Sequence, residues 1–247
     1  MKVAIVGYGK MGKQIEKSLK DRNIAVTSVV DKFVDGVKFR SIDAESMKDV
    51  DVAIDFSSTE EVIDRIRLYN EFGISVVMGT TGWYDKIDKV KEMISDRIGF
   101  IWSGNFSIGV HIFFRIIKES SKFFNNFDEY DALGYEIHHN EKKDSPSGTE
   151  LMIGDIMLSE MSAKKEIVTS CLDRKIDKSE IHLSSVRGGY FPGTHTVLFD
   201  SAADTIELTH TARNRDGFAK GAVRVAEWLY GRKGFFSIDS YLESVLK

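Results

Sequence analysis

Cysteine and proline are scarce in this chain, which carries one of the first and two of the second in 247 residues. Cys171 alone cannot close an intramolecular disulfide and offers no multi-cysteine metal site, so a reducing compartment is the simplest setting. Long apolar runs are missing too. The most apolar later stretch, Ile108 to Ile117, is interrupted by His111 and Arg115 and falls short of the roughly 20 residues a membrane span needs. The opening run Lys2-Val3-Ala4-Ile5-Val6 is too short for the core of a secretion signal. A cytosolic protein with no membrane partner is therefore expected. Nor is there an excess of positive charge. Lys and Arg number 34 against 38 Asp and Glu, a net charge of −4, which disfavours nucleic acid as a partner while leaving room for a local basic site. Internal repeats and low-complexity linkers are absent as well. The length fits one large α/β domain or two modest ones.

What is present is an alternation. Short apolar runs at Val3–Val6, Ala25–Val30, Val52–Phe56, Ser75–Met78 and Phe100–Trp102 are separated by segments of helical period, such as Val62, Ile66 and Tyr69, or Ile87, Val90 and Ile94. Runs that apolar suit a sheet buried on both faces, and strand–helix–strand alternation argues for a parallel, doubly wound sheet. The pattern changes near residue 106. A long helix is expected over about 107–125, followed by a two-faced strand in which Leu133, Tyr135 and Ile137 alternate with Gly134, Glu136 and His138. Ser147 and Glu150 have the S-x-x-E spacing of a capping box and mark a second helix start. Further strands are expected at about 180–188, 194–200 and 204–211. Residues 160–180 read as a solvated connection. In the last segment Ala219, Ala222, Val223, Ala226 and Leu229 give a helix with one apolar face. The expected fold class is thus α/β: a Rossmann-type, doubly wound domain over residues 1–106, to which residues 216–247 are expected to return, and an α+β domain with a mixed sheet over residues 107–215.

The first chemical motif is Gly7-Tyr8-Gly9-Lys10-Met11-Gly12, a G-x-G-x-x-G run between the first strand and the first helix. Gly7 suits the tight turn, Gly9 close approach of a pyrophosphate, and Gly12 close helix–strand packing; the helix N-terminus favours the phosphates. The motif alone is weak evidence. Asp31, nineteen positions after Gly12 at the end of the second strand, strengthens it, because an acid there can hydrogen-bond an adenosine ribose. Lys32 beside it offsets the repulsion of a 2′-phosphate, so both NADH and NADPH are candidates. The loops ending later strands, Gly79-Thr80-Thr81-Gly82 and Ser103-Gly104-Asn105-Phe106, are candidates for the nicotinamide half.

The second motif runs from Glu136 to Thr149. His138 is an imidazole, the side-chain type suited to acid–base catalysis near neutrality, Lys142 is a cation just beyond the strand, and Ser147-Gly148-Thr149 is a helix start with N–H groups suited to a carboxylate. Together they describe a site for an anionic substrate that takes a proton after a hydride. A metal role for His138, His139 and Glu141 is disfavoured, because adjacent strand histidines diverge and no HExxH spacing is present; no metal is expected.

Glu136 to Thr149 matches in full the pattern E-x-H-H-x-x-K-x-D-x-P-S-G-T, and on that basis the chain resembles the 4-hydroxy-tetrahydrodipicolinate (dihydrodipicolinate) reductases. Gly79-Thr80-Thr81-Gly82, Asn105-Phe106-Ser107, Arg187-Gly188, Gly193-Thr194-His195 and Arg215 fit the same resemblance, which spans nearly the whole chain. The resemblance implies His138 as general acid and Lys142 as the residue that binds and polarises the substrate. It also implies that His139 and the Gly148-Thr149 backbone hold a carboxylate of a dicarboxylate substrate, with Ser147 of the same helix start a further substrate-binding candidate, and that Arg215 is a cofactor contact or hinge. It implies an amino-terminal Rossmann-type dinucleotide-binding domain completed by the carboxy-terminal helix, and a middle domain that supplies the substrate site and a sheet-mediated homotetramer. The glycine loop is shorter here than in many members. The competing readings are another two-domain NAD(P)-dependent dehydrogenase and a non-catalytic dinucleotide sensor. Arg187 and His195 remain open between site residues and structural ones.

Overall fold

The computed structural model describes residues 1–94 and 96–245. In chain order the elements are β1 (Lys2–Val6), α1 (Lys10–Asp21), β2 (Ala25–Val30), β3 (Val52–Asp55), α2 (Val62–Phe72), β4 (Ser75–Met78), α3 (Ile87–Met93) and β5 (Gly99–Trp102). Then come α4 (Ile108–Phe124), β6 (Asp131–His138), α5 (Gly148–Glu160), β7 (Glu166–Val168), β8 (Glu180–Arg187), β9 (Thr194–Asp200) and β10 (Thr205–Thr211). The chain closes with α6 (Asp216–Leu229), β11 (Gly234–Ser237) and α7 (Ile238–Val245). Two compact units result, Met1–Ser107 together with the segment from Arg215 onward, and Ile108–Asn214.

The first unit is a doubly wound parallel sheet of order β11-β5-β4-β3-β1-β2. Its central strands are mostly apolar because both faces are covered, with Asp55 at the end of β3 a buried exception. On one side Ala4, Val6, Ala53, Val76 and Phe100 pack with Val62, Ile66 and Tyr69 of α2 and Val90 of α3. On the other, α6 lies against α1, β3, β4 and β5, with Ala219, Ala222, Val223, Ala226 and Leu229 all buried. Strand order reverses between β1 and β3, and ligands of open parallel sheets bind beyond the carboxyl ends of strands at such a reversal.

The carboxy-terminal segment holds more than the helix expected of it. Gly234–Ser237 forms β11 alongside β5, and Phe235 stacks on Phe100 with ring centroids 5.4 Å apart. Four residues show no period, so the strand is created by the open edge of β5 and not by local sequence.

The second unit is a mixed sheet of order β10-β9-β6-β8-β7. β6 runs parallel to β8 and antiparallel to β9. One face packs under α4 and α5 through Ala132, Leu183, Val197, Phe199, Phe113, Ile117, Ile153 and Met157. The opposite face carries the odd-numbered residues of β6, and it leaves Leu133 and Val186 exposed. Residues 160–180 are only partly the solvated connection expected. Lys164 is buried, with its ammonium on Asp131 and on the carbonyls of Lys178 and Glu180, and Glu166–Val168 pairs with β8 as its edge strand. A three-residue strand preceded by two lysines carries no periodicity to read. No described helix is long and apolar enough to cross a membrane.

Candidate active site

In the first unit a cavity of about 690 Å³ opens at the strand-order reversal, lined by Gly7, Gly9, Asp31, Lys32, Phe33, Arg40, Phe56, Ser57, Ser58, Glu61 and Arg65 among others. That is the size range of small-molecule and cofactor sites. The glycine loop is shaped by sterics. Gly7 has φ +87°, and a Cβ there would lie 2.5 Å from the Phe56 carbonyl oxygen; one on Gly12 would lie 2.1 Å from the Gly7 carbonyl oxygen. A Cβ on Gly9 would meet nothing within 4 Å, so this residue faces open space where a phosphate can approach. These features fit a bound dinucleotide.

Asp31 has a second task. Its Oδ2 accepts the Tyr8 N–H at 2.6 Å, and its Oδ1 accepts those of Phe33 and Val34 at 2.8 and 2.9 Å. Burial pushes the carboxyl up, but these three donors, with Arg40 nearby, outweigh it and hold the group below its ordinary range. The acid thus ties the glycine loop to the end of β2 as it faces the cavity. Lys32 is exposed and pairs with Glu61 at 3.4 Å. Arg40 is a lining cation that sequence reasoning missed. Its Nη1 donates to the Val34 carbonyl at 2.6 Å. It lies nine positions past Asp31 in a segment without regular structure, where no motif marks it.

The other cofactor candidates are placed differently. Tyr8 spends its hydroxyl on Glu16 at 2.6 Å; Lys10 and Met11 open α1. Thr80 is buried, and its hydroxyl donates to Asp55 Oδ1 while its carbonyl accepts from Trp83 Nε1. Phe106 is fully buried against Phe56, with centroids 5.8 Å apart. Both therefore shape the loops from below through packing. Gly79 also packs on Phe56, and the Thr81 carbonyl accepts from Thr59. Ser103 and Asn105 close a small turn with each other, and Asn105 Oδ1 caps the Ser107 N–H at 2.8 Å. Arg215 is the exposed residue ahead of α6, with no side-chain cap bond. None of these lines the cavity.

In the second unit the strand register assembles ionisable groups from four elements. Glu136 of β6 sits opposite His195 of β9, and His138 opposite Arg187 of β8, with all four on the face covered by α5. Glu136 is wholly buried. Its Oε1 accepts from Ser147 N at 2.8 Å, Ser185 Oγ at 2.9 Å and Arg187 Nη2 at 2.7 Å. Its Oε2 lies 3.1 Å from His138 Nδ1 and 3.9 Å from His195 Nδ1. The 3.1 Å approach lacks the alignment of a full hydrogen bond. Burial favours protonation of Glu136, but His138, Ser147 and Arg187 outweigh it and hold the carboxyl well below the usual range.

Beside it His195 Nδ1 contacts Glu150 Oε2 at 2.7 Å, and the His195 ring meets that of His138 edge to face at 5.2 Å. Burial raises the Glu150 carboxyl above its ordinary value, against the lowering effect of His195. The fold thus brings His195, Arg187 and Glu150 into the same cluster as His138. The sequence had left the first two open and read Glu150 only as a cap.

Ser147 departs from the expected pattern. Its side chain caps the Glu150 N–H at 3.2 Å, but Glu150 does not reach back to close the box. The Ser147 N–H goes to Glu136, so it is not free for a substrate. Gly148 and Thr149 follow at the helix start, and a Cβ on Gly148 would meet nothing within 4 Å. Lys142 Nζ is held by both oxygens of Asp144 at 2.8 and 2.9 Å, and this contact is the main cause of the lowered Asp144 carboxyl. His139 follows β6, half-buried, with its N–H on the Phe191 carbonyl at 2.9 Å.

Among the described residues one triad, Glu136, His138 and His195, has atoms close enough together for a shared metal ion, within 4.8 Å of one another. Of these groups His195 Nδ1 is already held by Glu150, and Arg187 neutralises the other oxygen of Glu136, so the arrangement is better suited to holding protons.

Comparison with known proteins agrees with this geometry. Residues 1–106 match the family described as dihydrodipicolinate reductase, N-terminus, and residues 109–242 match dihydrodipicolinate reductase, C-terminus. The chain is 36% identical over 248 residues to the 4-hydroxy-tetrahydrodipicolinate reductase of Christiangramia forsetii, with all of both chains covered. It is 35% identical over 260 residues to that of Archaeoglobus fulgidus, covering 98% of this chain and 100% of the relative. Among solved structures, a dipicolinate-bound dihydrodipicolinate reductase from Paenisporosarcina sp. TG-14 shares the fold with a TM-score of 0.78 at 21% identity, covering 97% of this chain and 98% of the other. The chain belongs to the dihydrodipicolinate reductase family.

Proposed function

We propose that this protein is an NAD(P)H-dependent oxidoreductase that reduces 4-hydroxy-tetrahydrodipicolinate to tetrahydrodipicolinate, a step of diaminopimelate and lysine synthesis. The observation that carries this reading is the pairing, within one family member, of a glycine-loop cavity and a buried acid–base cluster around His138. Reduced nicotinamide supplies the hydride when bound. Gly7 and Gly9 admit the pyrophosphate, and Asp31, Lys32 and Arg40 face the adenosine end. The two cations near one acid are the reason to expect that both NADH and NADPH serve.

In the second unit His138 donates the proton that completes the reduction. Lys142 leaves Asp144 to meet a substrate carboxylate, and the free N–H groups of Gly148 and Thr149, with His139, hold a carboxylate at the start of α5. Ser147 builds this helix start without contributing its own N–H. The sheet face bearing Leu133, Tyr135, Ile137 and Val186 is the surface we assign to self-association, toward a homotetramer.

The test is a coupled assay in which the substrate is generated in place from pyruvate and aspartate semialdehyde by the preceding synthase. Synthase-dependent loss of NADH and of NADPH absorbance is expected, each followed separately. Cofactor binding without oxidation would instead favour a different reductase or a sensor.

A further inference from the structure

Glu136 faces two imidazoles with a single oxygen. His195 and His138 both direct Nδ1 at Oε2, from 3.9 and 3.1 Å. Only one of them has another acid within reach, because His195 Nδ1 stands 2.7 Å from Glu150 Oε2. Among the described residues His138 Nδ1 has no other partner. The opposite edge of the His138 ring abuts a residue with no side chain. Gly193, at φ +146°, lies so close that a Cβ on it would stand 2.9 Å from Nε2. A side chain there would cover the nitrogen on the far side from the carboxylate.

We propose that Glu136 is the positioning residue for His138: it keeps a proton on Nδ1, so that the proton given to the substrate leaves from Nε2, and the Glu150–His195 pair keeps His195 from competing for the same oxygen. The proposal rests on the reading of His138 as the general acid. The proton balance is simple. Imidazolium loses its Nε2 proton to the reduced substrate and becomes the Nδ1–H imidazole, while Glu136 stays a carboxylate throughout. The charged groups around this pair all act consistently. Arg187 of β8 neutralises Oε1, Ser147 and Ser185 add neutral donors to it, and Glu150 of α5 takes the demand of His195 from β9. Oε2 is the atom left to bias the imidazole. A carboxylate that holds one ring nitrogen fixes the tautomer and stabilises the imidazolium.

The first test needs no variant of the pair. Nitrogen NMR of the full chain with labelled histidine, with the His138→Gln spectrum identifying the His138 signals, is expected to show neutral His138 protonated at Nδ1. The Nε2–H form would overturn the proposal. The second test is Glu136→Gln. Turnover depends on a protonated acid, so activity falls as pH rises, and loss of a charge this close is expected to move that high-pH limb of the kcat profile down by about one pH unit or more. At neutral pH kcat then drops roughly tenfold, with substrate KM little changed and partial recovery in Glu136→Asp. An unmoved pH limb with kcat intact would refute the positioning role. If Glu136→Gln does not fold, Glu150→Gln carries the same test. His195 is then free to turn to Oε2, and a smaller shift of the limb in the same direction is expected; no shift counts against the proposal. Near-wild-type turnover in His138→Gln would remove the general-acid reading while the NMR result still decided the geometry.

Discussion

The two units each bury a carboxylate, and the two are satisfied differently. In the first, Asp55 at the end of β3 is saturated. Oδ1 accepts from Ser57 N, Ser57 Oγ and Thr80 Oγ1, and Oδ2 accepts from Arg65 Nε and the Tyr69 hydroxyl, each at 2.6–3.1 Å. Burial raises the Tyr69 phenol well above its ordinary value, with Asp55 adding to the effect, so the hydroxyl stays a donor. In the second unit, Glu136 is saturated on one oxygen and left with two misaligned histidines on the other. A buried acid with every lone pair filled holds a loop in place. A buried acid with an oxygen to spare can bias a proton. On the reading proposed above, Asp55 supports the loops around the glycine-loop cavity, and Glu136 serves the proton chemistry of His138.

The strongest way to break the contrast is to remove the group that Glu136 faces. His138→Gln is expected to lower kcat by roughly 10²–10⁴-fold, the usual contribution of a general acid, with a smaller effect on cofactor binding and little on the unfolding midpoint. Steady-state kinetics beside urea unfolding would check it, and loss of stability with turnover intact would place His138 with the structural groups. Asp55→Asn is expected to do the reverse. It leaves the Arg65 guanidinium poorly paired and costs on the order of 3 kcal/mol of stability. Cofactor KM should rise as the loop of Ser57 and Ser58 loosens, while kcat per folded molecule stays near wild type. A collapse of kcat in the folded variant would dissolve the distinction.

A finer difference shows only against pH. Glu136 is held below its ordinary value in the folded protein, so its contribution to stability is present above about pH 4.5 and is lost as pH falls through the folded value. Glu150 is raised, so its contribution is present below about pH 4.5 and is lost as pH rises through its folded value. Urea unfolding at acid and neutral pH should therefore separate the variants. The deficit of Glu136→Gln should shrink toward acid, whereas Glu150→Gln should gain on wild type toward neutral pH. Parallel behaviour of the two would mean that the carboxyls form one structural unit.

The same contrast explains which parts of the molecule are legible in its sequence. The first unit's site is built from backbone, and backbone demands leave a signature: Gly7, Gly9 and Gly12 at fixed spacing after a run as apolar as Val3–Val6. The second unit's site is built from side chains at positions 136, 138, 150, 187 and 195, joined by strand register. His138 and Lys142 were legible because they share one contiguous motif. The Glu150–His195 pair was not, since nothing local says that β9 lies beside β6. The S-x-x-E spacing gave the helix start correctly but hid the use of both its members, because a carboxylate from another strand took the place of the reciprocal bond. β7 and β11 were missed for a related reason: each owes its place to a neighbouring strand and is too short to show a period. Arg40 was missed because it is held locally, by Val34 and Asp35, in a segment that no motif marks.

Ser147 gives the smallest expected effect and the sharpest division between support and contact. Its hydroxyl oxygen caps the Glu150 N–H, while its backbone N–H serves Glu136 and survives any substitution but proline. Ser147→Ala should therefore lose about 1 kcal/mol, the usual value of an N-cap. It should leave the pH profile of kcat in place, because Glu136 keeps its backbone donor. Substrate KM is the discriminating reading. If Ser147 acts only by building the start of α5, KM stays near wild type while the unfolding midpoint falls. A KM several-fold higher, at unchanged stability, would mean that the hydroxyl meets the substrate directly, and Ser147 would rejoin Gly148 and Thr149 as a carboxylate-binding group.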